Sequence, residues 1–287
     1  MSFLSDRIRT RAEADSKLSC RVLGELYHER KRKTLREKLR RRKTSILITN
    51  PTTTFAYTES VNKLASRVQR HLHRDEKVIM VTSFLENEGK STVAANLALA
   101  MGQMGKRVLL LDCDLRKPAL ALVTDHKPTT PGVAEILTGK ASLAEAAAPV
   151  GDSGVYLVSS LRGQRTVADL VGAPAMAALL REAAEQYDLV IMDTPPMSLA
   201  PDAECLSAMA SASLLVVRQN MALAQDLNES VNVLEKSSSH LLGCVLNNVY
   251  GAAGFAPAYH YGRGYGSYKK YGRYGYGYGY GRQEEEK

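Results

Sequence analysis

The sequence predicts a doubly wound α/β domain built on a mostly parallel sheet, followed by a tail that does not fold. Three observations predict it. Short apolar runs recur between Ala- and Leu-rich helical stretches, the alternation of a βαβ chain. Two of those runs end in carboxylates, at Asp112 and Asp193, and a third enters the turn Gly89-Lys90-Ser91-Thr92. From residue 257 onward, composition narrows to glycine and tyrosine with scattered charge.

Residues 1–45 read as a basic extension. Residues 1–43 hold 15 Lys/Arg against 6 Asp/Glu, a surplus of nine, while the whole chain of 287 residues carries +8, so the remainder is close to neutral. Arg30-Lys31-Arg32-Lys33 and Arg40-Arg41-Arg42-Lys43 flank a segment of good helix formers. Such clusters are attracted to anionic lipid headgroups by about 1 kcal/mol per basic residue near the surface. Nucleic acid is the competing target, and a solvated extension is the plain alternative. No run of eighteen apolar residues exists, and Met1-Ser2-Phe3-Leu4 leads straight into charge, so neither a membrane span nor a signal peptide is expected. Cys20, Cys113, Cys205 and Cys244 lack paired ligand spacing and read as reduced, packed thiols of a cytoplasmic protein.

Residues 46–256 have the length and apolar content for one α/β core. Strands are expected near 77–82, 107–112, 155–159, 188–193, 213–218 and 241–247. The first of them runs into the turn at Gly89. A glycine-lysine-hydroxyl turn that opens a helix gathers backbone N–H groups and the helix's partial positive charge on one spot, which is how P-loops hold phosphate. Lys90 would reach the β and γ phosphates of ATP, and the Ser91 hydroxyl would ligate Mg2+. Asn87, Glu88, Gly89, Lys90, Ser91 and Thr92 form the expected ATP-binding loop. Where the full pattern asks for glycine this chain has Phe84, and Glu86 places an acid beside the polyphosphate. Asn87 tolerates the left-handed backbone that such a loop needs.

The next strand ends in Leu111-Asp112-Cys113-Asp114-Leu115-Arg116-Lys117-Pro118, two acids one residue apart. A later one ends in Val190-Ile191-Met192-Asp193-Thr194-Pro195-Pro196 and is stopped by two prolines. Acids at the C-terminal ends of parallel strands lie where open α/β sheets bind ligands. There Asp193 could hold a water of magnesium. Phosphate loop, lysine and carboxylates at one sheet edge predict Mg-ATP chemistry.

In these three motifs the chain resembles the bacterial tyrosine kinases of capsule and exopolysaccharide synthesis, which belong to the deviant P-loop ATPases together with partition and division-site ATPases. Residues 131–139, Pro-Gly-Val-Ala-Glu-Ile-Leu-Thr-Gly, and the strand Leu242-Gly243-Cys244-Val245-Leu246-Asn247 extend the likeness to roughly residues 50–280. The resemblance implies a P-loop NTPase-like fold and autophosphorylation of a C-terminal tyrosine cluster. It implies Asp112 at magnesium, Asp114 as acceptor of the tyrosine proton, and Asn247 beside adenine. It also implies trans-phosphorylation between copies of the chain, a separate transmembrane activator (a polysaccharide co-polymerase), a cognate phosphatase, and a place at the inner face of the membrane. No nucleic-acid partner is expected.

Two departures stand out. The family's ring-forming Glu-x-x-Arg-x-x-Arg helix corresponds here to residues 59–65, which lack both arginines, and its Asn-Pro turn is replaced by Arg162-Gly163-Gln164-Arg165-Thr166. Partition-type ATPases share the fold, but they carry a second lysine where this chain has Leu85.

The tail, residues 257–287, holds nine tyrosines: Tyr259, Tyr261, Tyr265, Tyr268, Tyr271, Tyr274, Tyr276, Tyr278 and Tyr280. So much glycine costs too much entropy and buries too little surface to fold, which leaves the phenols reachable as phosphoacceptors. A sticky aromatic linker is the bland alternative. Beside an ATP site, the tail reads as kinase substrate. The rival readings are a partition-type ATPase without kinase activity and a scaffold that has lost nucleotide.

Overall fold

The computed structural model describes residues 6–30, 45–126, 131–160, 170–172, 174–199 and 201–250. Among these, eight strands form one sheet in the order β1-β8-β7-β2-β6-β3-β5-β4. The strands are β1 (Val22–Tyr27), β2 (Val78–Ser83), β3 (Val108–Asp112), β4 (Ala148–Pro149), β5 (Val155–Val158), β6 (Leu189–Asp193), β7 (Ala212–Arg218) and β8 (His240–Val249). All neighbours pair in parallel except β4, which runs antiparallel to β5 at the edge. The six expected strands are present within a residue or two of their expected bounds, and the doubly wound, mostly parallel sheet is the fold that the sequence predicts.

Parallel strands covered on both faces must be apolar on both, and β2, β3 and β6 are buried along their whole length. Ile79, Val81, Leu110 and Ile191 point to one face, where α2 (Phe55–His71) and α3 (Lys90–Gln103) pack. Met80, Leu109, Leu111, Val190 and Met192 point to the other. That face is covered by α5 (Val133–Leu137), α6 (Leu143–Ala146) and α7 (Pro174–Gln186), which contribute Val133, Leu143, Met176 and Leu180. Two short helices, α4 (Leu120–Val123) and α8 (Asp202–Ser207), follow β3 and β6. The helix α3 is buried nearly all round, as its run of Ala, Val and Leu requires. It thereby anchors the phosphate loop in the middle of the molecule.

The N-terminal segment departs from the expectation that residues 1–45 are a basic extension outside the core, since residues 22–27 belong to the sheet. Its charge count concealed a helix, α1 (Arg11–Lys17), and a strand: β1 pairs in parallel with β8 and buries Leu23 and Leu26 in the core. Thr10 Oγ1 accepts from Glu13 N at 3.2 Å while Arg9 N donates to Glu13 Oε2 at 2.7 Å, a reciprocal cap that starts α1. Asn228, on α9 (Ala224–Lys236), then clamps the segment: its Oδ1 accepts from Ser19 N and its Nδ2 donates to Lys17 O, both at 2.8 Å. The basic residues are partly spent on structure, since Arg11 Nη2 donates to Val22 O at 3.1 Å and Lys17 pairs with Asp6 at 2.8 Å. Gly243 permits the close approach of β1 to β8. Its φ is +132°, and a Cβ there would collide with the carbonyl oxygen of Arg21. The polybasic runs at 31–33 and 40–43 lie outside the described residues.

Leu26 is fully buried, so Leu26→Ala should cost about 2–4 kcal/mol of unfolding free energy. Urea denaturation followed by circular dichroism measures it. A loss below about 0.5 kcal/mol, the range of an ordinary surface substitution, would mean that β1 is not part of the cooperative core.

Candidate active site

The C-terminal ends of β2, β3 and β6 meet at one edge, and the sequence motifs end there. Between β2 and α3 the chain makes a tight loop whose shape depends on two left-handed residues, Asn87 at φ +64° and Gly89 at φ +96°. Gly89 is also the N-cap of α3. A Cβ at Gly89 would strike Asn247 Nδ2, so only glycine fits there.

The loop is held from behind by three partners. The Glu88 carboxylate accepts from Leu85 N at 2.7 Å and from Arg218 N at 3.2 Å. Asn247 Nδ2 donates to Glu88 O at 2.7 Å, and Arg218 Nη1 donates to Asn87 O at 2.8 Å. Phe84, where glycine was expected, turns away from the loop and packs with Leu85 against the core formed by Leu215, Val217 and Leu246. The departure therefore leaves the mouth of the loop open.

Lys90 stands at the start of α3 with its ammonium 2.9 Å from Asp114 Oδ2 and 3.7 Å from Asp193 Oδ1. Asp112 and Asp193 are paired in register on β3 and β6. Asp112 Oδ2 accepts from the N–H groups of Ala119 and Leu120, both at 3.1 Å, whereas its Oδ1 and both oxygens of Asp193 are buried without a well-formed hydrogen bond, Ser91 and Lys90 being the polar groups that face Asp193. Asp114 Oδ1 accepts from Lys117 N at 3.0 Å. Three carboxylates thus share one lysine. Burial opposes the Lys90 charge, but Asp193 and Asp114 outweigh it and hold its pKa above the usual lysine value. Burial, then the neighbouring Asp193, pushes the Asp112 carboxyl well up. Burial pushes Asp193 up to about 6 despite the pull of Lys90. A site that strains to ionise its acids, and that keeps oxygens without donors, has the chemistry of a divalent-cation site. The three orphaned oxygens fit magnesium.

Above these groups lies a cavity of about 730 Å3. Asn87, Gly89, Lys90, Ser91, Thr92, Asp114 and Asn247 line it. Asp112 and Asp193 are fully buried beneath it. Glu88 departs from its expected place, because its side chain is buried behind the loop as a brace and only its backbone faces the phosphate turn. Asn247 braces the loop as well as lining the cavity. Both neighbouring cations are paired here: Arg116 Nε with Asp202 at 2.8 Å, and Lys117 Nζ, which lines the cavity, with Glu86 at 2.6 Å.

Sequence reasoning missed Arg218 at the end of β7 and the wall formed by Tyr27, His28 and Arg30 at the end of β1. The apolar run at 22–27 was their only signal, and the surrounding charge obscured it. The nine tail tyrosines and the turn at 162–166 lie outside the described residues.

Residues 76–241 match the AAA domain family, so this is an ATP-binding domain of the P-loop ATPase class. Tyrosine-protein kinase YwqD of Bacillus subtilis is 35% identical over 174 residues, 61% of this chain and 73% of that protein. The chain belongs to the bacterial tyrosine-kinase family. The succinoglycan biosynthesis transport protein ExoP of Rhizobium meliloti is 34% identical over 215 residues, 70% of this chain, but the match spans only 26% of that protein. Among solved structures, the kinase domain of Escherichia coli tyrosine kinase ETK shares the fold, with a TM-score of 0.74 at 24% identity, covering 95% of this chain and all of that one. The septum site-determining protein MinD of Pyrococcus horikoshii, complexed with Mg-ADP, superposes less completely, with a TM-score of 0.54 at 25% identity, covering 62% of this chain and 75% of that one. Among the described residues, no helix is long and apolar enough to cross a membrane.

Glu88 makes the stability of this kinase domain pH-dependent. Burial raises its folded-state pKa from 4.5 to about 7. The folded protein therefore keeps a proton that the unfolded chain releases, and stability falls as pH rises from about 4.5 to about 7, by at most ~3 kcal/mol. In thermal unfolding without nucleotide, Tm should drop between pH 5 and pH 8, and Glu88→Gln should reduce that slope, leaving the part due to Asp112 and Asp193, whatever its absolute Tm. An unchanged slope in the variant would remove Glu88 as its source.

Proposed function

We propose that the domain transfers the γ-phosphoryl group of Mg-ATP to tyrosines of its own C-terminal tail, in trans between copies of the chain. The observation that carries this reading is the cluster of Lys90, Asp112, Asp114 and Asp193 under a phosphate loop, joined in one chain to nine tyrosines at 259–280. Phosphoryl transfer demands positioning and charge neutralisation more than covalent help. The N–H groups of residues 87–92 and the start of α3 would cradle the phosphates. Lys90 would leave Asp114 for the β and γ phosphates, an exchange of one anionic partner for another. Ser91, Asp112 and Asp193 would hold Mg2+, which neutralises charge on the phosphates.

Release of Lys90 frees the Asp114 carboxylate, which lines the cavity, to accept the proton of the incoming tyrosine. That hydroxyl has a pKa of about 10 in water, so it needs a base at hand. Its oxygen forms the new bond to phosphorus, the bond to the β–γ bridging oxygen breaks, and ADP leaves. Asp112 is worse placed to act as the base, because it is buried beneath the cavity and its Oδ2 is held by the N–H groups of Ala119 and Leu120. Asn247 would stand at the nucleoside end.

The name of one relative, a succinoglycan biosynthesis transport protein, supports a role in capsule or exopolysaccharide synthesis and export. Within that role we place the kinase at the inner face of the membrane, docked on a separate transmembrane activator and reset by a phosphatase. The partition-type alternative is disfavoured by Leu85 and by the smaller share of MinD that superposes.

Two outcomes test this. Lys90→Met and Asp112→Asn should each reduce tail phosphotyrosine after incubation with Mg-ATP by at least about a hundredfold, the scale at which loss of a transition-state charge contact is felt. Equal phosphorylation in wild type and both variants, at matched folding, would refute the site assignment. Residues 259–287 carry 6 Lys/Arg and 3 Glu, and each phosphate adds about −1.5 to −2, so two or three phosphates reverse the tail's sign and should repel it from a neighbour's acidic site. Light scattering should then show a smaller mean mass after Mg-ATP in wild type and no change when all nine tyrosines are Phe. Equal mass in every condition would exclude the switch.

A further inference from the structure

The opposite rim of the sheet carries a second cluster of ligand-type side chains. His73 follows α2, Glu76 precedes β2, and His240 opens β8. Their ligand atoms all lie within 4.8 Å of one another. Glu76 Oε1 is 3.0 Å from His240 Nδ1 and 3.5 Å from His73 Nδ1. Tetrahedral zinc ligands at about 2.0–2.1 Å from the metal stand roughly 3.3 Å from each other, so both contacts are already at the spacing of atoms that share an ion.

The three residues are graded in the way a surface metal site requires. Glu76 is nearly buried, and its other oxygen, Oε2, accepts from His73 N at 2.8 Å and lies 3.3 Å from His240 Nδ1, so both oxygens of the carboxylate face the imidazoles. His240 is fixed by the sheet, where its N–H donates to Ser211 O at 2.9 Å. Only His73 is largely exposed, at 70%. The two rings now stack at 5.0 Å between centroids, and a rotation of the exposed His73 ring would bring its Nδ1 into line with the lone pair of His240. The neighbouring Lys77 is turned away, its ammonium donating to Ala184 O at 2.8 Å. Lys77 therefore does not compete for the carboxylate.

We propose that His73, Glu76 and His240 bind a first-row transition ion of the Zn2+ type, with solvent completing the coordination. Two imidazoles and one carboxylate favour such an ion over magnesium, which takes oxygen ligands. The site is separate from the nucleotide cavity: β2, six residues long, puts roughly 20 Å between them. It links three elements that converge on catalysis. Glu76 adjoins the strand that leads to the phosphate loop, His240 begins the strand that carries Asn247, and β7, whose Arg218 braces the loop, lies between β2 and β8. An ion here would tie α2 and β8 to β2 across β7.

The test uses the full chain, stripped with chelator and titrated with Co2+ in the presence of excess Mg2+, with visible absorption as readout. One Co2+ per chain should give the d–d bands of a four- or five-coordinate nitrogen and oxygen site, and Zn2+ should displace it. His73→Ala, an exposed substitution, should weaken binding by about tenfold or more, and Zn2+ should raise the Tm of wild type but not of this variant. Absence of the bands, a thiolate-to-cobalt charge-transfer band, or unchanged affinity in a His73→Ala/His240→Ala variant would each overturn the proposal.

Discussion

One buried ammonium holds the active edge of this kinase together. Lys90 lies within 4 Å of Asp114 and Asp193, and Asp112 is paired in register with Asp193 one strand over. Three carboxylates at the ends of adjacent strands repel one another in a medium that solvates charge poorly. Lysine offsets part of that repulsion, and the remainder appears as acids whose pKa values are pushed up. The same imbalance that strains the domain without nucleotide prepares it for a divalent cation, so stability and affinity for metal are set by one arrangement. This is the usual relation between a strained site and its ligand.

The phosphate loop shows how a fold can keep a function while departing from a motif. A glycine is missing at Phe84, yet the loop closes because the strain is concentrated at Asn87 and Gly89, and because β7 and β8 reach across to hold it. Arg218 and Asn247 come from strand ends far away in sequence and bind the loop's carbonyls. Glu88 receives backbone N–H groups that would otherwise be orphaned. The loop is thus a joint product of local turn chemistry and sheet order.

Much of this was legible before any coordinates. The period of the apolar runs, the carboxylates that end them and the Gly-Lys-Ser-Thr turn place six strands, the phosphate loop and the acids. What misled was composition. In residues 1–45 the basic surplus suggested an extension outside the core, yet Val22, Leu23 and Leu26 are buried, since apolar side chains on both faces of a strand paired with β8 outweigh charges that can point to solvent. Arg116 and Lys117 pair with Asp202 and Glu86, and no local rule names partners 86 and 31 residues away.

The sequence by itself determined the class of chemistry. Glycine at an otherwise forbidden backbone angle, lysine at a helix start and acids at strand ends are local requirements, and each is met by a residue type at a fixed spacing. Tertiary structure decided which acid faces the cavity and which lies beneath it. It set Asn247 and Arg218 behind the loop, and it brought His73, Glu76 and His240 together at the far rim. Those outcomes depend on strand order and register. They follow from which apolar faces pack against which helices, a many-body balance that no short segment encodes.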